Sequence, residues 1–583
     1  MYVKKSTVRQ GERTYVYLRL VESYRDEAGK VRHRTVANLG REDELKASGQ
    51  LDQLAGSFAR LDPPMTGTRR DVGALLLVEH YLRRLGLAKI VERVLPERRR
   101  SLLSAAEVIT ALVANRLAGP APLYDIAGWA SSAAVAELFG IPPMLLNDDR
   151  LGRVLDDFCP VAEGVRGEVA LAAISEFGLN ASRLHLDLTT LRMAGHYDGS
   201  ALVAEGWGPD RRVARQVRVL SATTPGGVAL YTRPHPGNAH ELTCLGAAMQ
   251  NLRDLLPPGL LVVADSALGH IRNLAEAHRA GLRFLAPLRA STGFAERYLT
   301  TIGPTRLRPI NYVSRRERRL PVNQRTHYRG TTTRETFTDP ATGEQHTWTV
   351  AYIHSSEEAT SVAAARERAL TKAETALTRI HNGLGRRYYA TTDAVTKKLG
   401  TILPAVDGLL HAHVGTTTDA KPTLTWKRDH TAINAAAQLD GIYAIATNLP
   451  GRPSATHILT LYKDQHTVET AHRNNKGTLR VRPIFLHNDE RITALVSIVG
   501  IALTIFGLIE LDLRQALTNT EHLPGLLPEG RAARPTGRNI LATFQGLGAT
   551  YTPHGIRLDR LTTTQRQILN LLNITSPWPE QDT

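Results

Sequence analysis

At 583 residues the chain is too long for one hydrophobic core, and 42% apolar with 22% charged residues excludes a disordered polymer. Its 72 Lys and Arg against 56 Asp and Glu give a net charge of +16, which favours a polyanionic partner (DNA, RNA or an anionic membrane) or a surface that simply runs basic. Two cysteines, Cys159 and Cys244, exclude a disulfide framework and a Cys-rich zinc site and point to a reducing cytosol.

The N-terminus, MYVKKSTVRQGERTYVYL, has no apolar core of the secretory kind, so export is not expected. The first forty residues read as β. Two Val/Tyr/Leu/Thr-rich runs flank the turn-forming DEAGK, predicting an antiparallel hairpin with a basic second strand. From about Asp71 to Phe158 the apolar spacing becomes helical, in LLLVEHYLRRLGLAKIVERVL and SLLSAAEVITALVANRLAG. Within it ERRR, Glu97 to Arg100, reads equally as a phosphate-contacting turn or a solvated loop.

Strand signals return after Leu179. SRLHLDLTTLRMAGH alternates around Asp187, VARQVRVLSATT and VALYTRPHPG follow, and the apolar run GLLVVA ends in Asp265, as in a strand buried on both faces. HELTCLGAAMQNLRDLL between them reads as a helix, which makes the region mixed α/β. From Thr305 to Arg334 there are nine arginines and one glutamate, including Arg315, Arg316, Arg318 and Arg319. So many cations repel one another, and a DNA backbone would relieve that. A β-like HTWTVAYIHS and a charged helix from about Glu357 to His381 come next, and this block reads as inserted before the strand-like DGIYAIATN.

Ile492 to Ile509 is 18 residues without a charge, at the lower edge of a spanning length. Glu490, Arg491, Glu510 and Asp512 bracket it, and a helix buried on all sides is the favoured reading. NILATFQGLG and TTTQRQILNLLNI predict short helices in the tail. HAH, His411 to His413, reads as surface strand, and Trp207 as a packed loop indole or a base-stacking one.

The chemistry centres on three acids. Asp187 sits in a strand, Asp265 ends another at the edge where sites of α/β sheets collect, and Glu469 lies in the polar helical stretch YKDQHTVETAHRNNKG. Converging carboxylates are hard oxygen ligands suited to Mg²⁺ or Mn²⁺, and a metal pair can stabilise both oxygens of an in-line phosphoryl displacement. Each acid alone reads as well as a cap, a turn former or a solvated side chain. In that stretch Tyr462, Glu469 and Lys476 recur every seven residues, on one helical face.

The same stretch resembles the YREK signature of the insertion-sequence-4 type of DDE transposases: Tyr, two residues, Arg, three residues, Glu, six residues, Lys. Tyr462, Glu469 and Lys476 match that spacing, and Gln465 stands at the arginine position. GKVRHRTVANLG, NDDRLGRVLDDF, LDLTTL, PGNAHE, ADSALGH and RPIFLHNDERITAL extend the likeness, closest to the 1634 branch, over most of the chain. The resemblance implies an α/β fold: an RNase H-like catalytic core interrupted by a β-rich insertion, with an N-terminal β-hairpin and helical domain. The 204-residue interval from Asp265 to Glu469 leaves room for that insertion. The domains expected are a hairpin region 1–65, a helical DNA-binding or dimerisation region 66–178, core 179–297, a basic β/α insertion 298–437, core 438–535 and a helical tail 536–583.

By the same resemblance Asp187, Asp265 and Glu469 form the catalytic triad and hold two Mg²⁺ or Mn²⁺ ions. They cleave DNA at the element's terminal inverted repeats, and the freed 3′-hydroxyl attacks target DNA. Tyr462, Gln465, Arg473 and Lys476, with Arg315, Arg316, Arg318 and Arg319, are the expected DNA contacts. Arg473, four residues beyond Glu469, either supplies the cation missing at Gln465 or pairs with Glu469. A homodimer on paired ends, a cytoplasmic, nucleoid-associated location and no membrane are implied. The competing reading is a weakened or repurposed transposase that only binds DNA.

Overall fold

The fold is that of a computed structural model, which describes residues 2–10, 13–25, 31–48, 50, 66–95, 101–208, 212–239, 244, 259–264, 268–418, 421–463, 486–517, 520–527 and 529–581. The chain divides into two compact units. One is Met1–Ala181 with Asp187–Ala239 and Val468–Thr583, and the other is Ser182–Leu186 with His240–Thr467.

The first unit opens with an antiparallel sheet of β1 (Tyr2–Gln10), β2 (Arg13–Arg25) and β3 (Val31–Arg41). β2 and β3 are the expected pair; β1 adds a third strand, aligned from Tyr2 beside Val21 to Gln10 beside Arg13. Adjacent Lys4 and Lys5 interrupt the alternation in β1 that would have marked it as a strand. β4 (Arg69–Asp71) follows, then the helices Leu75–Leu85, Leu87–Val94, Ala105–Ala118, Asp148–Phe158 and Ala162–Phe177. Ser104 and Glu107 close a capping box at Ala105–Ala118, each side chain bonding the other's backbone N–H.

Leu75–Leu85, Ala105–Ala118, Asp148–Phe158 and Ala162–Phe177 pack around the long apolar helix Asp489–Ala516, whose most apolar window is 89% buried. Asn488 caps it by accepting from the N–H groups of Glu490 and Arg491 at 2.7 and 3.2 Å. Its polar side chains have protein partners. Thr504 donates to the Ala229 carbonyl at 2.7 Å, Glu510 accepts from the Gly537 N–H at 2.7 Å, and Asp512 accepts from the Tyr81 hydroxyl at 3.0 Å. A spanning helix would present apolar side chains to lipid; this one is a core helix.

β5 (Arg183–Arg192) gives its first residues, to Leu186, to the second unit and the rest, from Asp187, to the first. In the first unit its neighbour is β7 (Val213–Thr223), which also pairs with β6 (Ala204–Trp207) and β8 (Ala229–Pro236). In the second unit β9 (Leu261–Val263) lies parallel to β5 and to β10 (Arg283–Pro287). β9 is therefore interior and its residues are buried, as the apolar run predicted. Of the helix expected at HELTCLGAAMQNLRDLL, only residue 244 falls among the described residues.

The same unit continues through β11 (Arg308–Ile310), β12 (Tyr328–Thr338) and β13 (Gln345–Ser355). These strands of the basic block extend the sheet of β9 and β10, because β13 pairs antiparallel with β16 (Ile442–Thr447) and β16 with β10. Only from Ser356 onward does the block pack separately. Helices Ser356–His381 and Thr392–Ile402 enclose Leu377, Ile380, Val395 and Leu399 against β14 (Leu410–Thr416) and β15 (Pro422–Arg428). His411 and His413 are exposed on β14, as expected.

The tail corrects the helical expectation. Besides helices Gly537–Thr543 and Thr563–Leu571 it holds a hairpin, β17 (Gly548–Thr552) and β18 (Gly555–Leu558), with β17 paired to β4. A strand partner almost 480 residues upstream leaves no local pattern to read.

Candidate active site

Asp187 lies where β5 changes from buried to half-buried residues: Leu184, His185 and Leu186 are buried and the six from Asp187 onward are half-buried. Alternation places Asp187 and Thr189 on one side of the strand. The Thr189 hydroxyl donates to the Asp187 carboxylate at 3.2 Å, and the Ser221 hydroxyl of β7 reaches the Asp187 carbonyl at 3.4 Å. A carboxylate held by a neighbouring hydroxyl and still partly open can act as a hard oxygen ligand.

Asp265, Gln465, Glu469, Arg473 and Lys476 lie outside the described residues, as does the ERRR turn. β9 reaches toward Asp265 with Val263 and Ala264 almost wholly buried. Among the described residues no group of three or more His, Cys, Asp and Glu could hold a metal ion.

The helix Ala455–Lys463 positions Tyr462. Ile458 and Leu459 bury completely in a cluster with Ile353 and Ile445, the three- and four-residue spacing turning one face inward. Tyr462 packs half-buried at the edge of that cluster, its ring 6.4 Å from that of Tyr443. Lys463, which the sequence did not single out, places its ammonium 5.5 Å from the Tyr328 ring and 6.0 Å from the Tyr443 ring. Burial pushes that ammonium below the usual lysine range, against the pull of Glu357, Glu358 and Glu317.

Glu317 explains the arginine segment. It is the one acid in SRRERR and is buried, while Arg315, Arg316, Arg318 and Arg319 around it are exposed. Its carboxylate accepts from the Thr326 N–H at 3.0 Å, the Thr326 hydroxyl at 2.5 Å and the Ser314 hydroxyl at 2.5 Å. Burial pushes its pKa up, and these hydrogen bonds more than reverse that, holding it below the usual carboxylate range. The acid thus serves as an internal anchor and does not neutralise the cations at the surface. Arg316 pairs with Glu357, the second residue of helix Ser356–His381, and Arg325 donates to the carbonyls of Leu320 and Arg318, which closes the loop. Trp207, at the end of β6, is 66% exposed, so its indole is not a packed one.

Three family models match the chain. Residues 3–64 match an IS1634 family transposase N-terminal domain, residues 68–165 a domain of unknown function (DUF4277), and residues 180–505 a transposase DDE domain. No curated protein matches it.

Proposed function

The chain belongs to the DDE transposase family, whose domain model spans residues 180–505, and from that membership we propose that it is the transposase of a bacterial insertion sequence of the 1634 type. It binds the terminal inverted repeats, cuts the DNA strand there and joins the freed 3′-hydroxyl to target DNA. Asp187, Asp265 and Glu469 are the catalytic acids. The mixed α/β sheet, with β9 parallel to both β5 and β10, supports an RNase H-like core.

The observation that carries the site assignment is a register. β5 and β9 align Arg183 with Leu261 and His185 with Val263, an offset of 78 positions, and Asp187 and Asp265 are separated by the same 78 positions. That equal spacing is what carboxylates at matching positions of two parallel strands require, and it supports pairing Asp187 with Asp265 in the triad. Asp187, with its anchored and partly open carboxylate, suits Mg²⁺ or Mn²⁺; with Asp265 and Glu469 it would hold a pair of such ions. Bound there, the ions would activate the attacking oxygen and stabilise the leaving one. The chain's own part is to fix the ligand carboxylates and to grip phosphates through Lys476, Arg473 and the exposed arginines at 315–319. Two protomers act on paired ends.

Purified protein incubated with its element-end DNA and Mg²⁺ or Mn²⁺, beside Asp187→Ala and Glu469→Ala, tests this. Cleavage by the wild type alone, with binding by all three, is the expected result. Binding by all three with cleavage by none sinks the enzyme reading and favours the DNA-binding alternative, for which Gln465 in place of arginine is the motivating departure. Cleavage that survives Glu469→Ala sinks the triad.

A further inference from the structure

The helix Ser356–His381 runs 26 residues, about 39 Å at 1.5 Å per residue. Its first turn lies beside the arginine loop, through the Arg316–Glu357 pair. Its far end carries the turn Gly383–Tyr389, GLGRRYY, whose cations the packing of the helix does not require. Three backbone hydrogen bonds order that turn: Arg386 N–H to the Gly383 carbonyl at 3.1 Å, Tyr389 N–H to the Arg386 carbonyl at 2.8 Å, and Gly385 N–H to the Tyr389 carbonyl at 3.0 Å. Gly385 has φ +75°, where an L side chain is strained. Tyr389 packs back on the cluster around Leu377 and Ile380, with its ring where a Cβ on Gly383 would sit.

An anchored turn of this kind projects the residues at its tip. Arg386, Arg387 and Tyr388 are all exposed, and Tyr388, at 76%, is more exposed than Tyr124 and Trp207, the other strongly exposed aromatics among the described residues. The Arg387 guanidinium lies 5.7 Å from the centre of the Tyr388 ring. The contact with Arg387 is only weakly stabilising at so exposed a site, and it does not by itself account for a tyrosine ring held in water. An exposed ring next to one guanidinium, with a second exposed arginine in the same turn, does match a nucleic-acid strand, with an aromatic face for a base and cations for the flanking phosphates.

Resting on the transposase reading, we propose that the Arg386–Tyr388 turn is a second DNA contact, with Tyr388 stacking on an unpaired base and Arg386 and Arg387 holding adjacent phosphates. The partner is DNA with an opened or single-stranded end, the form that strand cleavage creates. Blunt duplex keeps its bases paired and stacked on one another and offers the ring only the outer face of its terminal pairs, with no unpaired base to enclose.

The full-length protein is titrated, with Mg²⁺ replaced by Ca²⁺ to suppress cleavage, against a duplex with an unpaired 3′ extension carrying 2-aminopurine and against the matching blunt duplex. Wild type is expected to prefer the extended duplex and to quench the 2-aminopurine. Tyr388→Ala should lose the quench and about 5- to 150-fold in affinity for the extended duplex, with no change on the blunt one. Tyr388→Phe should keep both properties. Arg386→Gln with Arg387→Gln should lower the slope of log affinity against log salt by about 1.4 on the extended duplex, at about 0.7 per single-strand phosphate. Tyr388→Ala binding and quenching like wild type overturns the inference, and so does an equal loss on blunt duplex. A wild type that binds neither DNA sinks the transposase reading itself, a result distinct from either.

Discussion

Thr189 is the side chain through which Asp187 can be tested without removing it. Its hydroxyl donates to the carboxylate, and Thr189→Val keeps the β-branched shape while deleting the donor. Loss of such an orienting partner typically costs about 10- to 100-fold, so metal-dependent cleavage by Thr189→Val should fall by that factor while affinity for element-end DNA holds. Equal activity would mean that the hydroxyl does not orient the carboxylate. A second residue contributes to the acid sensitivity of the first unit. His235 on β8 is 9% exposed, and burial first, then the charge of Arg233, lowers its pKa from 6.5 to about 4. The unfolded chain therefore binds a proton between about pH 6.5 and 4 that the folded chain refuses. The stability that His235 contributes is complete above pH 6.5 and is lost as pH falls toward 4, by up to about 3 kcal/mol. His235→Gln, which cannot titrate, should lose less thermal stability between pH 7 and pH 5 than the wild type; parallel losses would assign the acid sensitivity elsewhere.

At the scale of elements, the long apolar helix gives the sharpest test, because two glycines of neighbouring helices should respond with opposite sign. A Cβ at Gly507 would lie 2.8 Å from the Gly227 carbonyl oxygen and 2.8 Å from the Val228 Cα, both backbone atoms that cannot swing away. Helix propensity favours alanine by about 1 kcal/mol, but overpacking of this kind costs about 1–3 kcal/mol, so Gly507→Ala should lower the melting temperature. Gly164, in helix Ala162–Phe177, has nothing within 4 Å of its would-be Cβ, and Gly164→Ala should raise it. A rise with Gly507→Ala would contradict the close packing of this helix on the segment before β8. The apolar helix was legible because length and the charges at its ends are local properties. So were β5, by its alternation, and β9, by its apolar run, since neither pattern needs a partner to be recognised. β1 was not, because Lys4 and Lys5 break its alternation even though its partner β2 follows at once, and neither was β17, whose second partner β4 lies almost 480 residues upstream. Glu317 was hidden by separation as well. In SRRERR it reads as one more surface charge, and two of the three hydrogen bonds that hold it inward come from Thr326, nine residues on. Asp187 stood out through its apolar neighbours, whereas Lys463 looked like any helix lysine until Tyr328 and Tyr443 closed around it.

For the whole molecule, a net charge of +16 says that polyanions are attracted but not which cations meet them. Many of the cations are already engaged: Arg491 forks onto Asp156 with two bonds of 2.7 Å, Arg366 onto Asp440 at 2.7 and 2.6 Å, and Arg428 onto Glu367 and Glu374. Guanidinium groups committed to carboxylates release few counterions when DNA arrives. Arg318 and Arg319 differ, because both are exposed and the only acid of their turn is spent on Thr326 and Ser314. Each phosphate they neutralise should contribute about 0.9 to the slope of log affinity against log salt. Arg318→Gln with Arg319→Gln should therefore lower that slope by about 2 on blunt and extended duplex alike, while the fold stays intact because Glu317 keeps its anchor. Arg366→Gln, which strips a cation already paired to Asp440, should leave the slope unchanged. If the two substitutions lowered the slope equally, the basic character of the chain would act as a diffuse field, and the arginine loop would not be a localised contact.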